Sequence, residues 1–190
     1  MMMDKKLVRA ELTGRLKELS KPVYEDLSYR IANQLYEDPL WKSAQVIGIT
    51  VSRFPEVDTY QIIRKAWEQK KKVVIPKCDP KTRGMTFRML QRFNELESVF
   101  FGLYEPIENR TIAVKPNEIN LLIVPGVAYT RDGFRIGFGG GYYDRFLEGF
   151  KGDTLSLAFS FQIVSKLPLE EHDLPVSKII TENEVISVVY

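Results

Sequence analysis

Two apolar runs, "QVIGITVS" (45–52) and "KVVIP" (72–76), flank a segment that can form a helix, and this order constrains the fold most. Each run reads as a short strand. Asp58 or Thr59 can cap the intervening helix, which would extend through Lys70. A strand–helix–strand unit argues for a parallel sheet with helices on its faces. Further along, "MTFRML" (85–90) alternates, "INLLIVP" (119–125) reads as a buried strand, and "TLSLAFS" (154–160) and "EVISVVY" (184–190) complete the sheet. Ahead of this unit, residues 4–19 place Leu7, Val8, Leu12, Leu16 and Leu19 near helical spacing. Ser20 is an N-cap candidate for a second helix with Pro22 in its first turn and Tyr24, Leu27, Ile31 and Leu35 on one side. The expected fold class is α/β: one three-layer domain over residues 1–190, with a mainly parallel central sheet flanked by helices. No repeat, low-complexity tract or linker interrupts it.

Charge and sulfur content narrow the function. The 27 basic and 25 acidic residues leave a net charge of +2, so nothing advertises a nucleic acid as partner. With Cys78 and His172 the sole cysteine and histidine, no internal disulfide forms and no mechanism can use several of either. The start "MMMDKKLVRAEL" has no signal-peptide apolar core, and no apolar run approaches the ~18 residues of a membrane span. The expectation is a cytoplasmic protein, neither secreted nor membrane-spanning.

After the 119–125 strand comes "RIGFGGGYYDRF" (135–146), with Gly137, Gly139, Gly140 and Gly141 within five positions, ahead of a short helix near 141–149. In open α/β sheets, ligands bind at the carboxyl ends of the strands. Glycines let backbone N–H groups approach an anion, and Arg135 and Arg145 supply donors shaped for phosphate oxygens. The spacing matches neither the Walker pattern nor G-x-G-x-x-G. A phosphate cradle is the favoured reading over an ordinary left-handed turn. Tyr142 and Tyr143 fit either packing or a site. Asp144 fits either a helix-start residue or a Mg²⁺ ligand.

The block "VPGVAYTRDGFRIGFGGGYYDRFL" (124–147) resembles the signature of the 5-formyltetrahydrofolate cyclo-ligase family. The resemblance extends to Lys5-x-x-x-Arg9, "PEVDT" (55–59), "GLYEP" (102–106) and "HDLPV" (172–176) in the same order. One departure is Gly140, where some members carry a loop lysine. The resemblance implies a reaction: MgATP drives 5-formyltetrahydrofolate to 5,10-methenyltetrahydrofolate, with ADP and phosphate released. The formyl oxygen would attack the γ-phosphate to give an N5-iminium phosphate, which N10 then attacks. Phosphoryl transfer needs positioning and charge neutralisation more than a covalent nucleophile.

The resemblance also implies roles. Lys5 and Arg9, one helical turn apart, would contact ATP phosphates. Arg135, Gly137, Phe138, Gly139, Gly140, Gly141 and Tyr142 would form the ATP loop, with Asp144 and Arg145 beside it. Asp144 and Asp173 would hold Mg²⁺. Glu56 would sit near the formyl and N10 groups, Tyr143 would line the pterin pocket, and Phe54 would line it too. The expected catalytic set is Arg135, Tyr143 and Glu56. Two other classes remain as alternatives: a sugar-phosphate isomerase or acyl-CoA-type transferase on a related fold, and a nucleotide- or folate-binding module without turnover.

Overall fold

A computed structural model describes residues 4–189. The helices are α1 (Lys5–Lys17), α2 (Lys21–Glu37), α3 (Pro39–Ser43), α4 (Tyr60–Glu68) and α5 (Tyr142–Leu147). The strands are β1 (Val46–Gly48), β2 (Lys72–Cys78), β3 (Met85–Leu90), β4 (Leu96–Ser98), β5 (Tyr104–Pro106) and β6 (Ala113–Val114). They continue with β7 (Leu121–Ile123), β8 (Ala128–Tyr129), β9 (Arg135–Ile136), β10 (Asp153–Leu157), β11 (Lys178–Ile180) and β12 (Val185–Ser187).

Eight strands make the central sheet in the order β12-β11-β10-β7-β1-β2-β3-β6. The four central pairings, from β11 to β2, are parallel, and β12, β3 and β6 join antiparallel at the edges. Alternate residues serve opposite faces, as strand geometry requires. Val73, Ile75, Leu121 and Ile123 pack with Tyr24, Ile31 and Leu35 of α2, Trp41 of α3 and Ile62 and Ile63 of α4. Their neighbours Val74 and Leu122 pack on the other face with Phe146 and Leu147 of α5. The α/β layering expected from the sequence is therefore the observed one.

Helix α1 joins the first of these faces only through Leu16. Its Val8 and Leu12 pack with Val127 and Ala128 before and in β8, with Ile136 in β9, and with Leu167. Leu7 was expected on that apolar side, yet it is exposed, because the buried stripe runs Val8–Leu12–Leu16.

Several boundaries differ from the sequence reading. The 45–52 run is strand only over Val46–Gly48, and the 154–160 strand ends at Leu157. The 184–190 strand is limited to Val185–Ser187, and Tyr190 lies outside the described residues. Ser20 occupies the N-cap of α2 without a side-chain cap bond. At α4, Thr59 takes the N-cap position but Asp58 does the capping, accepting from the Tyr60 N–H at 2.9 Å. That helix stops at Glu68, and Lys70 follows with φ at 62°. Parallel strand β11 was not expected at all.

Candidate active site

Strands β8 and β9 form a small hairpin, and β9 runs directly into the glycine loop. Gly139 and Gly141 have φ of 104° and 72°, a backbone that L side chains rarely adopt. The loop is surrounded by guanidinium groups occupying the room its missing side chains leave. A Cβ at Gly137 would lie 3.0 Å from Arg135 Nη1. At Gly139 it would lie 3.8 Å from Arg9 Cζ, and at Gly141 3.9 Å from Arg145 Nη1. At Gly140 it would strike the Tyr142 ring at 2.7 Å. The Arg9 Nε–H also donates to the Gly137 carbonyl oxygen at 2.8 Å, fixing α1 to the loop.

Arg135 is buried, and its Nη2 lies 3.4 Å from Asp144 Oδ1. Its Nε–H has no hydrogen-bond partner, and its guanidinium sits 5.7 Å from the centre of the Tyr143 ring. The Tyr143 hydroxyl is also buried without a partner, and burial raises its pKa. Unpartnered buried donors are expensive in a folded protein. Here both stand beside the loop, where an anionic ligand would satisfy them.

A narrow cleft opens next to the loop at the carboxyl edge of the parallel strands. Thr50 and Ser52 after β1, Pro125 and Gly126 after β7, Tyr129, and Gln162 after β10 line it with Glu56 and Phe138. The loop carrying Glu56 is built by reciprocal bonds. The Ser52 N–H donates to Thr59 Oγ1 at 2.8 Å, and the Thr59 N–H to Ser52 Oγ at 2.9 Å. Glu56 Oε1 accepts from the Arg53 N–H at 2.9 Å. Burial raises the Glu56 pKa, against the opposing pull of that N–H and of the Arg53 charge. Phe138 of the glycine loop lines the same cleft as Glu56, so the two features adjoin.

The remaining expected residues fall into two groups. Phe54 is half-exposed on the Glu56 loop, its ring centre 4.8 Å from that of Tyr24. Phe138, expected with ATP, lines the Glu56 cleft where it adjoins the glycine loop. Lys5 and Asp173, expected on phosphate and Mg²⁺, are paired with each other: Lys5 Nζ lies 2.9 Å from Asp173 Oδ2 and 3.2 Å from Glu170 Oε2. Asp173 Oδ2 also accepts from the Glu170 N–H at 2.8 Å. Burial works against both charges, but these bonds outweigh it, raising the pKa of Lys5 and lowering that of Asp173. His172 is exposed, with Nε2 3.1 Å from Glu170 Oε2. Cys78 ends β2, its thiol pushed up to about 12 by burial and by Glu105.

Thr50, Ser52, Gly126, Tyr129 and Gln162 were not singled out from the sequence. The signal available for the first three was their position just past a parallel strand. A larger cleft of about 400 Å³ lies at the opposite, amino edge, between Ser43, Asn117, Asn120 and Lys151. None of the loop arginines lines it.

One known family matches this chain over nearly its whole length. The 5-formyltetrahydrofolate cyclo-ligase family model covers residues 1–182. The chain belongs to that family. The 5-formyltetrahydrofolate cyclo-ligase of Mus musculus is 29% identical over 194 residues, covering 96% of each chain. That of Haemophilus influenzae is 32% identical over 143 residues, 73% of this chain and 76% of its own. Among solved structures, Aquifex aeolicus 5,10-methenyltetrahydrofolate synthetase superposes with a TM-score of 0.87 at 29% identity, covering 99% of this chain and 94% of its own. The cyclo-ligase fold is thus the observed fold. Among the described residues, no helix is long and apolar enough to cross a membrane.

Proposed function

We propose that this chain converts 5-formyltetrahydrofolate to 5,10-methenyltetrahydrofolate at the expense of MgATP, releasing ADP and phosphate. The observation carrying this reading is the convergence of Arg9, Arg135 and Arg145 on a glycine loop that adjoins the Glu56 cleft. A polyphosphate suits the loop, and a neutral heterocycle suits the cleft beside it.

In this reading, the loop backbone and Arg9, Arg135 and Arg145 hold the triphosphate and neutralise charge spreading over the γ-phosphoryl group. The formyl oxygen of the folate attacks that phosphorus, and the bond to ADP breaks. N10 then attacks the activated formyl carbon and loses its proton, and the carbon–oxygen bond breaks to release phosphate. Glu56, its pKa raised by burial, is the acceptor for that proton. Tyr143, Phe54 and Phe138 border the pterin, and Tyr142 packs behind Gly140.

Mg²⁺ favours carboxylate oxygens together with substrate phosphates. Asp144 fits this role, with its Oδ1 alone engaged by Arg135. Asp173 fits by exchanging Lys5, whose ammonium would turn toward a phosphate. The ion supplies charge neutralisation to the phosphates. Formation of methenyltetrahydrofolate absorbance by purified protein with MgATP tests the proposal. Equal ADP release with and without 5-formyltetrahydrofolate would overturn it.

A further inference from the structure

The β2–β3 hairpin turn lies over the same carboxyl edge, and its sequence "CDPKTRG" (78–84) has no part in the reading above. Asp79 organises the turn. Its side chain accepts from the Lys81 N–H at 2.9 Å and the Thr82 hydroxyl at 3.0 Å, and its carbonyl accepts from the Arg83 N–H at 2.8 Å. Arg83 is held with φ at 61°, a conformation uncommon outside glycine. Its guanidinium has no hydrogen-bond or ion-pair partner among the described residues. It lies 5.9 Å from the centre of the Tyr142 ring, the ring that fills the space beside Gly140.

Three of the four loop glycines have an arginine beside them, and the fourth has the ring that Arg83 approaches. Arg135 stands at Gly137, Arg9 at Gly139 and Arg145 at Gly141, and Arg83 lies against the Tyr142 ring that adjoins Gly140. Three guanidinium groups adjoin the loop and a fourth, Arg83, lies against its Tyr142 ring, all from separate elements, with Asp144 the carboxylate paired among them. Like charges brought together this way repel, and a polyanion at their focus reverses the sign of that energy. An arginine fork without a partner is also shaped for phosphate oxygens.

We infer that Arg83 is a further nucleotide-binding residue, delivered by the β2–β3 turn to the phosphates held on the glycine loop. This rests on the reading that the loop holds a triphosphate. The Tyr142 ring positions the guanidinium, and Asp79 positions the backbone that carries it.

The test is equilibrium binding of a fluorescent ATP analogue with Mg²⁺ and no folate, on the full chain. Losing one charge-assisted bond should weaken binding about 10-fold in Arg83→Ala. Arg83→Gly guards against a folding artefact, since glycine suits the positive φ, and it should show the same loss. Arg83→Lys should retain part of the affinity. Lys81→Ala on the same turn should stay within about twofold, because an exposed charge without a bound partner is screened. Unchanged affinity in both Arg83→Ala and Arg83→Gly overturns the inference, as does an equal loss in Lys81→Ala. A raised KM for the polyglutamylated folate with nucleotide affinity intact also overturns it, by assigning Arg83 to the folate carboxylates. If the wild type binds nucleotide through Arg83 but shows no folate-dependent turnover, the cyclo-ligase reading fails and this inference stands.

Discussion

Lys5 Nζ lies 2.9 Å from Asp173 Oδ2 and joins helix α1 to a segment 168 positions further along the chain. The two residues were expected separately, one on phosphate and one on metal. Their pairing ties the start of α1 to the 170–173 segment, while Arg9, one turn on, ties the same helix to the glycine loop. The amino-terminal helix is therefore part of the site's wall.

Lys5→Ala should lower stability as well as weaken ATP use, since it leaves the buried Asp173 carboxylate short of a partner. The cost of an unsatisfied buried group is about 1–3 kcal/mol. The lowered Asp173 pKa means its contribution is present above the unfolded value, near 3.8, and fades as pH falls through the lower folded value. The raised Lys5 pKa means its contribution is present below 10.5 and fades as pH rises through the higher folded value. Thermal melts of wild type and Lys5→Ala should differ at neutral pH and converge at strongly acidic pH. A gap that persists unchanged there would assign the effect to packing.

Glu56→Gln should abolish folate use yet raise the melting temperature at neutral pH. Burial raises the folded pKa of Glu56, so its ionisation costs the folded state stability as pH rises toward and through that value. The stabilisation gained by Gln should vanish below the ordinary glutamate range, where Glu56 is protonated in both states. The acid limb of the wild-type rate profile should also report this group. Melting curves against pH, with nucleotide binding measured alongside, check both halves; loss of nucleotide affinity instead would place Glu56 with ATP.

Asp144→Asn should raise the Mg²⁺ concentration for half-maximal rate by at least about 10-fold, the loss typical even of groups that merely support a metal ligand. It also removes the one carboxylate paired with buried Arg135, so a lower melting temperature should accompany it. Initial rates across a Mg²⁺ titration measure the first effect. A mutant with wild-type metal dependence would leave Asp144 as a partner of Arg135 alone.

Gly139→Ala should impair the ATP half of the site selectively. At φ of 104° an L residue is strained whatever room surrounds it, and the loop must change its backbone to relieve that. Because the loop is exposed, the melting temperature should fall by only a few degrees, roughly 2–4 °C per kcal/mol at this chain length. The KM for ATP should rise by about 10-fold or more if one charge-assisted phosphate bond is lost. An unchanged ATP KM would show that the loop tolerates another geometry.

Features set by short-range pattern were legible in the sequence. The βαβ unit at 45–76, the buried run at 119–125 and the helical stripe of α2 follow from period and capping over a few residues. The glycine block carries its own message, because φ values of 104° and 72° demand glycine wherever the loop sits. What tertiary structure alone decided depends on partners far apart in the chain. Strand β11 is only three residues long, and its place is set by pairing with β10 and β12. The Lys5–Asp173 pair and the approach of Arg83 to Tyr142 leave no local trace, since a charged residue in a helix or turn looks the same with or without a distant partner. Thr50, Ser52 and Gln162 line a cleft because adjacent parallel strands end at one edge, a fact of the sheet and not of any single segment. Local periodicity determines which elements form, and the sheet's strand order determines which side chains meet.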